Sequence, residues 1–312
     1  MGRQGQAMNA LRFTVLLMIL VVASCVKPPD GTIQDAQRDR EIDFAVWLPE
    51  SAESAPLIVL SHGSGGHYSN FDWLIGALVE QGYAVAAVNH PFNTTMDDTP
   101  EGVARAWDRP PDLSLLISEL LSTPEWASAI DGTRIGAAGF SSGGYTVLAL
   151  AGAVYDIDRM HAYCNSAEAG PECGLSDALP AADPDASSLL KDPRVQAVFA
   201  MVPGWGAATK PDSLKAIDIP IRIIGVEDDE LLLAERHAIY FAELIPGSEL
   251  VMLPTGGHFI FLTCSLPTRV VDWFIDQYNL CGIGIDVDRD AVQKQTAASA
   301  VQFFDQHLRG AE

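Results

Sequence analysis

Thr133-Arg134-Ile135-Gly136-Ala137-Ala138, running into Gly139-Phe140-Ser141-Ser142-Gly143, decides how this chain is read. Residues 133–138 form a short apolar run suited to a buried strand, and 142–152 a run of small helix-forming residues. A serine between two glycines at a strand-to-helix junction sits on a sharp turn that exposes its hydroxyl. The glycines are needed because a Cβ at either position would meet the neighbouring strand or helix. An isolated G-x-S-x-G recurs by chance. Here the strand before it and the helix after it make Ser141 the candidate nucleophile.

Strands and helices alternate outward from this junction. Ile42 to Leu48 alternates apolar and polar positions like a half-buried edge strand, and Leu57 to Leu60 is a continuous β-rich run of the kind covered on both faces. Asn70 to Gln81 has helical periodicity with a capping start, Tyr83 to Val88 is another buried strand, and Asp112 to Ser122 a leucine-rich helix. Further strands are expected near 195–202, 220–225 and 249–253, and helices near 231–245, 266–278 and 289–308. Repeated alternation of this kind specifies an α/β fold, a mainly parallel sheet with helices on both faces. Residues 153–194 break the rhythm and are rich in Asp, Ala, Pro and Ser. They are expected to form a short lid-like insertion over the carboxyl ends of the strands, with a plain surface excursion as the alternative.

Hydrophobic residues make up 48% of the 312, enough for a large core. The net charge of −22 argues against nucleic acid as a partner, because a basic footprint would be required. Residues 1–24 read as an export signal: Arg3 and Arg12 give a basic start, and Phe13 to Ala23 an apolar segment too short for a bilayer, which needs about 20 residues. Val22-Ala23-Ser24-Cys25 resembles a bacterial lipobox, in which Cys25 would be lipidated and become the mature N-terminus. Residues 25–40, with Pro28, Pro29 and Gly31, then form a tether, and 41–312 the folded domain. The expected location is the periplasm or cell envelope, held to a membrane through the lipid anchor; ordinary signal cleavage and a soluble secreted protein are the alternative. Four more cysteines remain. Pairing Cys164 with Cys173 and Cys264 with Cys281 closes two short loops and suits an oxidising compartment. Their spacings do not suit paired zinc ligands.

Ester hydrolysis by a serine needs a base, an acid to orient it and donors for the developing oxyanion. His258 lies in Thr255-Gly256-Gly257-His258-Phe259 after the strand 250–253, where two glycines let the loop turn back toward Ser141. The acid should end the preceding strand, and four acids stand there, Glu227-Asp228-Asp229-Glu230. Asp228 is the first choice and Asp229 the second. The Ser142 N–H, at the start of its helix, is one candidate oxyanion donor. Ser61-His62-Gly63-Ser64-Gly65-Gly66 follows the strand 57–60 and offers the other, the Ser64 N–H. It lacks the Gly-Lys-Ser/Thr ending of a phosphate-cradling loop. His90, Asn93 and Trp205 also fall at strand carboxyl ends and could line a substrate pocket. No metal or organic cofactor is called for, because every reacting group is supplied by the protein.

These stretches, with Ala86-Ala87-Val88-Asn89-His90-Pro91, resemble the α/β-hydrolase fold and, within it, the dienelactone hydrolase-like and platelet-activating-factor acetylhydrolase-like esterases. The resemblance spans about 41–308 and implies a Ser141–Asp228–His258 triad with Ser64 and Ser142 as oxyanion donors. The chain departs from dienelactone hydrolases proper, whose nucleophile is a cysteine. A serine esterase acting on small or medium acyl esters is the function so implied. An exported serine peptidase of the same fold is the second expectation, and a catalytically silent envelope-binding lipoprotein the third.

Overall fold

The computed structural model describes residues 27–50, 53–264, 279–282 and 286–310. The export segment 1–24, Cys25 and the helix expected at 266–278 therefore lie outside the described residues.

Among the described residues one eight-stranded sheet organises the fold: β1 (Gly31–Asp35), β2 (Arg40–Trp47), β3 (Ala55–Ser61), β4 (Ala84–Val88), β5 (Ile130–Phe140), β6 (Val195–Met201), β7 (Ile221–Val226) and β8 (Glu249–Leu253). Their spatial order is β1-β2-β4-β3-β5-β6-β7-β8. β2 pairs antiparallel with both β1 and β4, and the other pairs are parallel. Every residue of β3 is buried, as its unbroken apolar run requires. Alternate side chains feed two separate cores. Leu57 and Val59 pack with α2 (Arg109–Ser122) and α3 (Ser142–Ala151), whereas Ile58 and Leu60 pack with α1 (Asp72–Glu80) and α5 (Arg289–Phe304). Each fully buried Val, Leu or Ile contributes roughly 1.5–3 kcal/mol, so this two-sided burial dominates the stability of the sheet.

Two expectations are corrected here. Residues 31–35, assigned to a tether, form β1, so β2 is an interior strand and β1 the edge. Only Ile33 of β1 is turned into the core, too short a pattern to stand out in the sequence. Residues 231–237 are not helical apart from the short turn Ala234–Arg236, and the helix begins at Ala238. Within this stretch the Asp229 carboxylate accepts from the amides of Leu231 and Leu232.

The insertion 153–194 contains α4 (Ile157–Cys164) and a 3-10 turn at Pro171–Ala178, joined by the Cys164–Cys173 disulfide. It is fastened to loops that follow the strand ends. Asp156 N–H donates to the Ala208 carbonyl, Asp183 pairs with Arg105, and Glu172 meets His237. The second disulfide joins Cys264 to Cys281.

Candidate active site

Ser141 sits between the end of β5 and the start of α3 with φ +56°, a left-handed conformation that a serine adopts only where packing enforces it. The two flanking glycines are indispensable at this turn. A Cβ on Gly139 would lie 2.1 Å from the Gly143 carbonyl oxygen, and one on Gly143 would lie 2.1 Å from the Ser61 carbonyl oxygen. The turn therefore presses α3 directly onto the end of β3.

The partly exposed Ser141 hydroxyl lies 3.0 Å from His258 Nε2. His258 is carried back to it by Gly256 and Gly257, at φ +141° and +66°, and its ring is packed between Phe140 and Phe259. On the far side of the imidazole, Nδ1 lies 2.8 Å from Asp229 Oδ2. The carboxylate on the histidine is therefore Asp229 and not Asp228. Asp229 is buried, and its other oxygen accepts from Leu231 and Leu232 N–H at 2.9 and 2.7 Å. Asp228 points to the outside of the same turn, accepting from the Thr255 hydroxyl at 2.6 Å and from Gly257 N–H at 2.9 Å. Burial pushes the Asp228 carboxyl up, but these donors outweigh it and hold the group below the usual carboxylate range. Glu230 accepts from the His258 N–H at 3.0 Å. Asp228 and Glu230 thus pin the loop whose histidine Asp229 orients.

Two backbone amides border the serine. Ser142 is the first residue of α3, where an N–H has no acceptor within the helix. Its preceding carbonyl, that of Ser141, accepts from Gly204 and Tyr145 N–H at 3.0 and 3.2 Å. Ser64 follows Gly63, whose Cα lies against Ser141 so closely that an added Cβ would be 3.4 Å from the serine Cβ. The Gly63 carbonyl accepts from His62 Nδ1–H at 2.7 Å and from Gly66 N–H at 3.2 Å, which turns the Ser64 N–H of that trans peptide the opposite way. His62 Nε2 accepts from the His90 N–H at 3.1 Å, so the ring carries its proton on Nδ1. Burial, with the charge of Arg109 adding to it, holds the His62 pKa well below that of an ordinary histidine.

The three residues expected to line a pocket are all buried. His90 is fully buried and bonds Ser61 and Asp112. Asn93 is buried too, its side chain accepting from Gly65 N–H at 2.8 Å and donating to the Gly102 carbonyl. Trp205, at φ +61°, donates its indole N–H to Ser142 Oγ at 3.1 Å. Each supports the loops that border Ser141. Sequence reasoning gave no role to Ser61, at the end of β3, or to Arg109 and Asp112, on α2. Among the described residues no group of three or more His, Cys, Asp or Glu side chains is arranged to hold a metal ion.

No family model and no curated protein sequence matches the chain. Solved structures do. A ferulic acid esterase from Streptomyces cinnamoneus superposes with a TM-score of 0.58 at 21% identity, over 92% of both chains. An acylaminoacyl peptidase from Pyrococcus horikoshii gives 0.56 at 15% identity, over 94% of this chain and 44% of its own. A puromycin hydrolase gives 0.56 at 13% identity, over 92% of this chain and 40% of its own. At such identities the likeness is one of fold: this chain has the α/β-hydrolase fold.

Proposed function

We propose that the protein is a serine hydrolase that cleaves carboxylic esters through an acyl-enzyme. One observation carries the proposal, the continuous chain from Ser141 Oγ through His258 to the buried Asp229, at 3.0 and 2.8 Å. In this scheme the Ser141 hydroxyl donates its proton to His258 Nε2 as it attacks the ester carbonyl. Asp229 accepts from Nδ1–H, which keeps Nε2 free to take that proton and stabilises the imidazolium that forms. The Ser64 and Ser142 amides receive the oxyanion, and the start of α3 adds its dipole. The imidazolium then protonates the leaving alcohol, and water attacks the acyl-Ser141 ester by the reverse sequence.

The esterase choice over the peptidase is supported by the ferulic acid esterase, which alone of the three neighbours matches over nearly its whole length. The two disulfides support an exported protein. We place it in the cell envelope, anchored by lipid on Cys25. Labelling with a fluorophosphonate should modify the wild type and spare Ser141→Ala, and nitrophenyl esters of increasing chain length should then rank the acyl preference. Equal labelling of both proteins would refute the assignment. Cys25→Ser should leave specific activity unchanged while releasing the protein from membranes. Membrane association that persists in that variant would remove the anchor.

A further inference from the structure

Behind the candidate site lies a second Ser–His–Asp chain that faces no solvent. The Ser61 hydroxyl donates to His90 Nε2 at 2.9 Å, and His90 Nδ1–H donates to Asp112 at 2.9 Å. All three residues are 0% exposed, so no substrate can reach Ser61. Asp112 also takes Arg38 and Arg40, at 2.7 and 2.9 Å. Burial, with Arg109 adding to it, keeps the His90 pKa far down, so the ring stays neutral and accepts from Ser61 while donating to Asp112.

The chain ends on Arg109, whose guanidinium is itself buried. Its Nη2 donates to Ser61 Oγ at 3.3 Å and to the His62 carbonyl. Its Nε donates to Thr146 Oγ1 at 3.2 Å, and the Thr146 hydroxyl passes the bond on to the Ser142 carbonyl at 2.9 Å. One guanidinium therefore spans two backbone segments, the loop leading to Ser64 and the first turn of α3 that begins at Ser142. A buried cation is costly unless hydrogen-bonded; Nε and Nη2 make these bonds, while the buried Nη1 has no partner among the described residues. Gly143 lets the two segments approach, since any Cβ there would collide with the Ser61 carbonyl.

We propose that Arg109 is a positioning residue that sets the gap between the Ser64 and Ser142 amides, and that Ser61, His90 and Asp112 hold it in place. The proposal rests on the assignment of those two amides as oxyanion donors. Such donors stabilise charge that appears only in the transition state, so loosening the clamp lowers turnover and leaves ground-state binding intact.

Arg109→Gln leaves a neutral group in the core and could compromise folding, so Thr146→Val and Ser61→Ala, each removing one hydroxyl, are the decisive variants. Both should lower kcat by about 10- to 100-fold, less than the roughly 10²- to 10³-fold lost with an entire oxyanion donor. KM should stay within about twofold, and affinity for an alkylboronic acid, which mimics the tetrahedral state, should fall in proportion to kcat/KM. Thr146→Ser, which retains the hydroxyl, should restore kcat. A wild-type kcat in folded Thr146→Val and Ser61→Ala would overturn the clamp. So would losses in which boronic acid affinity is unchanged. If instead Ser141→Ala retains turnover, the serine mechanism itself fails, an outcome separate from failure of the clamp alone.

Discussion

Asp229→Asn is the substitution that most sharply separates the two neighbouring acids, because hydrogen bonds already present dictate how the new side chain must lie. Asp229 Oδ1 accepts from the amides of Leu231 and Leu232 at 2.9 and 2.7 Å. An asparagine keeps its oxygen on those two donors, since flipping would sacrifice both bonds at roughly 0.5–1.5 kcal/mol each and set an NH2 against two N–H groups. Its NH2 is then forced onto His258 Nδ1, where Oδ2 now sits at 2.8 Å. The imidazole must accept at Nδ1 and carry its proton on Nε2, facing Ser141 Oγ, where it can no longer act as a base. A wrong tautomer of this kind costs about 10⁴ in kcat in a comparable triad, or about 5 kcal/mol of barrier. Asp228→Asn should cost less than about tenfold. An amide oxygen can still accept from Gly257 N–H, and only the Thr255 bond must rearrange. Steady-state hydrolysis of a nitrophenyl ester, with the melting temperature of each variant measured alongside, makes the comparison. The reasoning is refuted if Asp228→Asn proves as damaging as Asp229→Asn, or if Asp229→Asn turns over within tenfold of wild type.

Gly143→Ala should fail to yield soluble folded protein, because its Cβ would stand 2.1 Å from the Ser61 carbonyl oxygen with only backbone to move; normal expression and circular dichroism would contradict this. His62 and His90 are held neutral by burial in the folded state, whereas unfolded histidines protonate near pH 6.5, so unfolding takes up protons below that pH. Stability should therefore fall on acidification from pH 7.5 to 5.5, by up to roughly 1 kcal/mol per pH unit for each histidine once below pH 6.5. Urea melts across this range check it, and stability that rises on acidification would contradict it. Cys164→Ser with Cys173→Ser should lower unfolding stability by about 2–4 kcal/mol while sparing the Ser141–His258 bond. Denaturant titration and fluorophosphonate labelling read the two effects separately.

How much of this could be read from the chain depends on the range of the interactions. The turn at Ser141 is local: glycines at 139 and 143 and the apolar run before them announce it. The same holds for His258, because Gly256 and Gly257 mark the loop that must turn back. The mainly parallel α/β sheet followed from alternation, since β3 through β7 carry buried apolar runs. β1 was missed because one buried isoleucine makes no pattern. The acid could not be chosen from Glu227-Asp228-Asp229-Glu230, where composition is uniform and only the course of the backbone decides. That turn puts Asp229 inward and leaves Asp228 on Thr255. Nor could the Arg109 cluster be seen, because its members meet from β3, the loop after β4, α2 and α3, with Ser61 and Arg109 48 residues apart.

The central claim, that Ser141 forms a covalent acyl intermediate, is tested most directly by acid-quenching the enzyme during turnover of a nitrophenyl ester and measuring its mass. The account predicts one added acyl group per chain, located by peptide mapping on the segment that contains Ser141 and absent in Ser141→Ala. An acyl group on another residue, or undiminished turnover by Ser141→Ala, would contradict it.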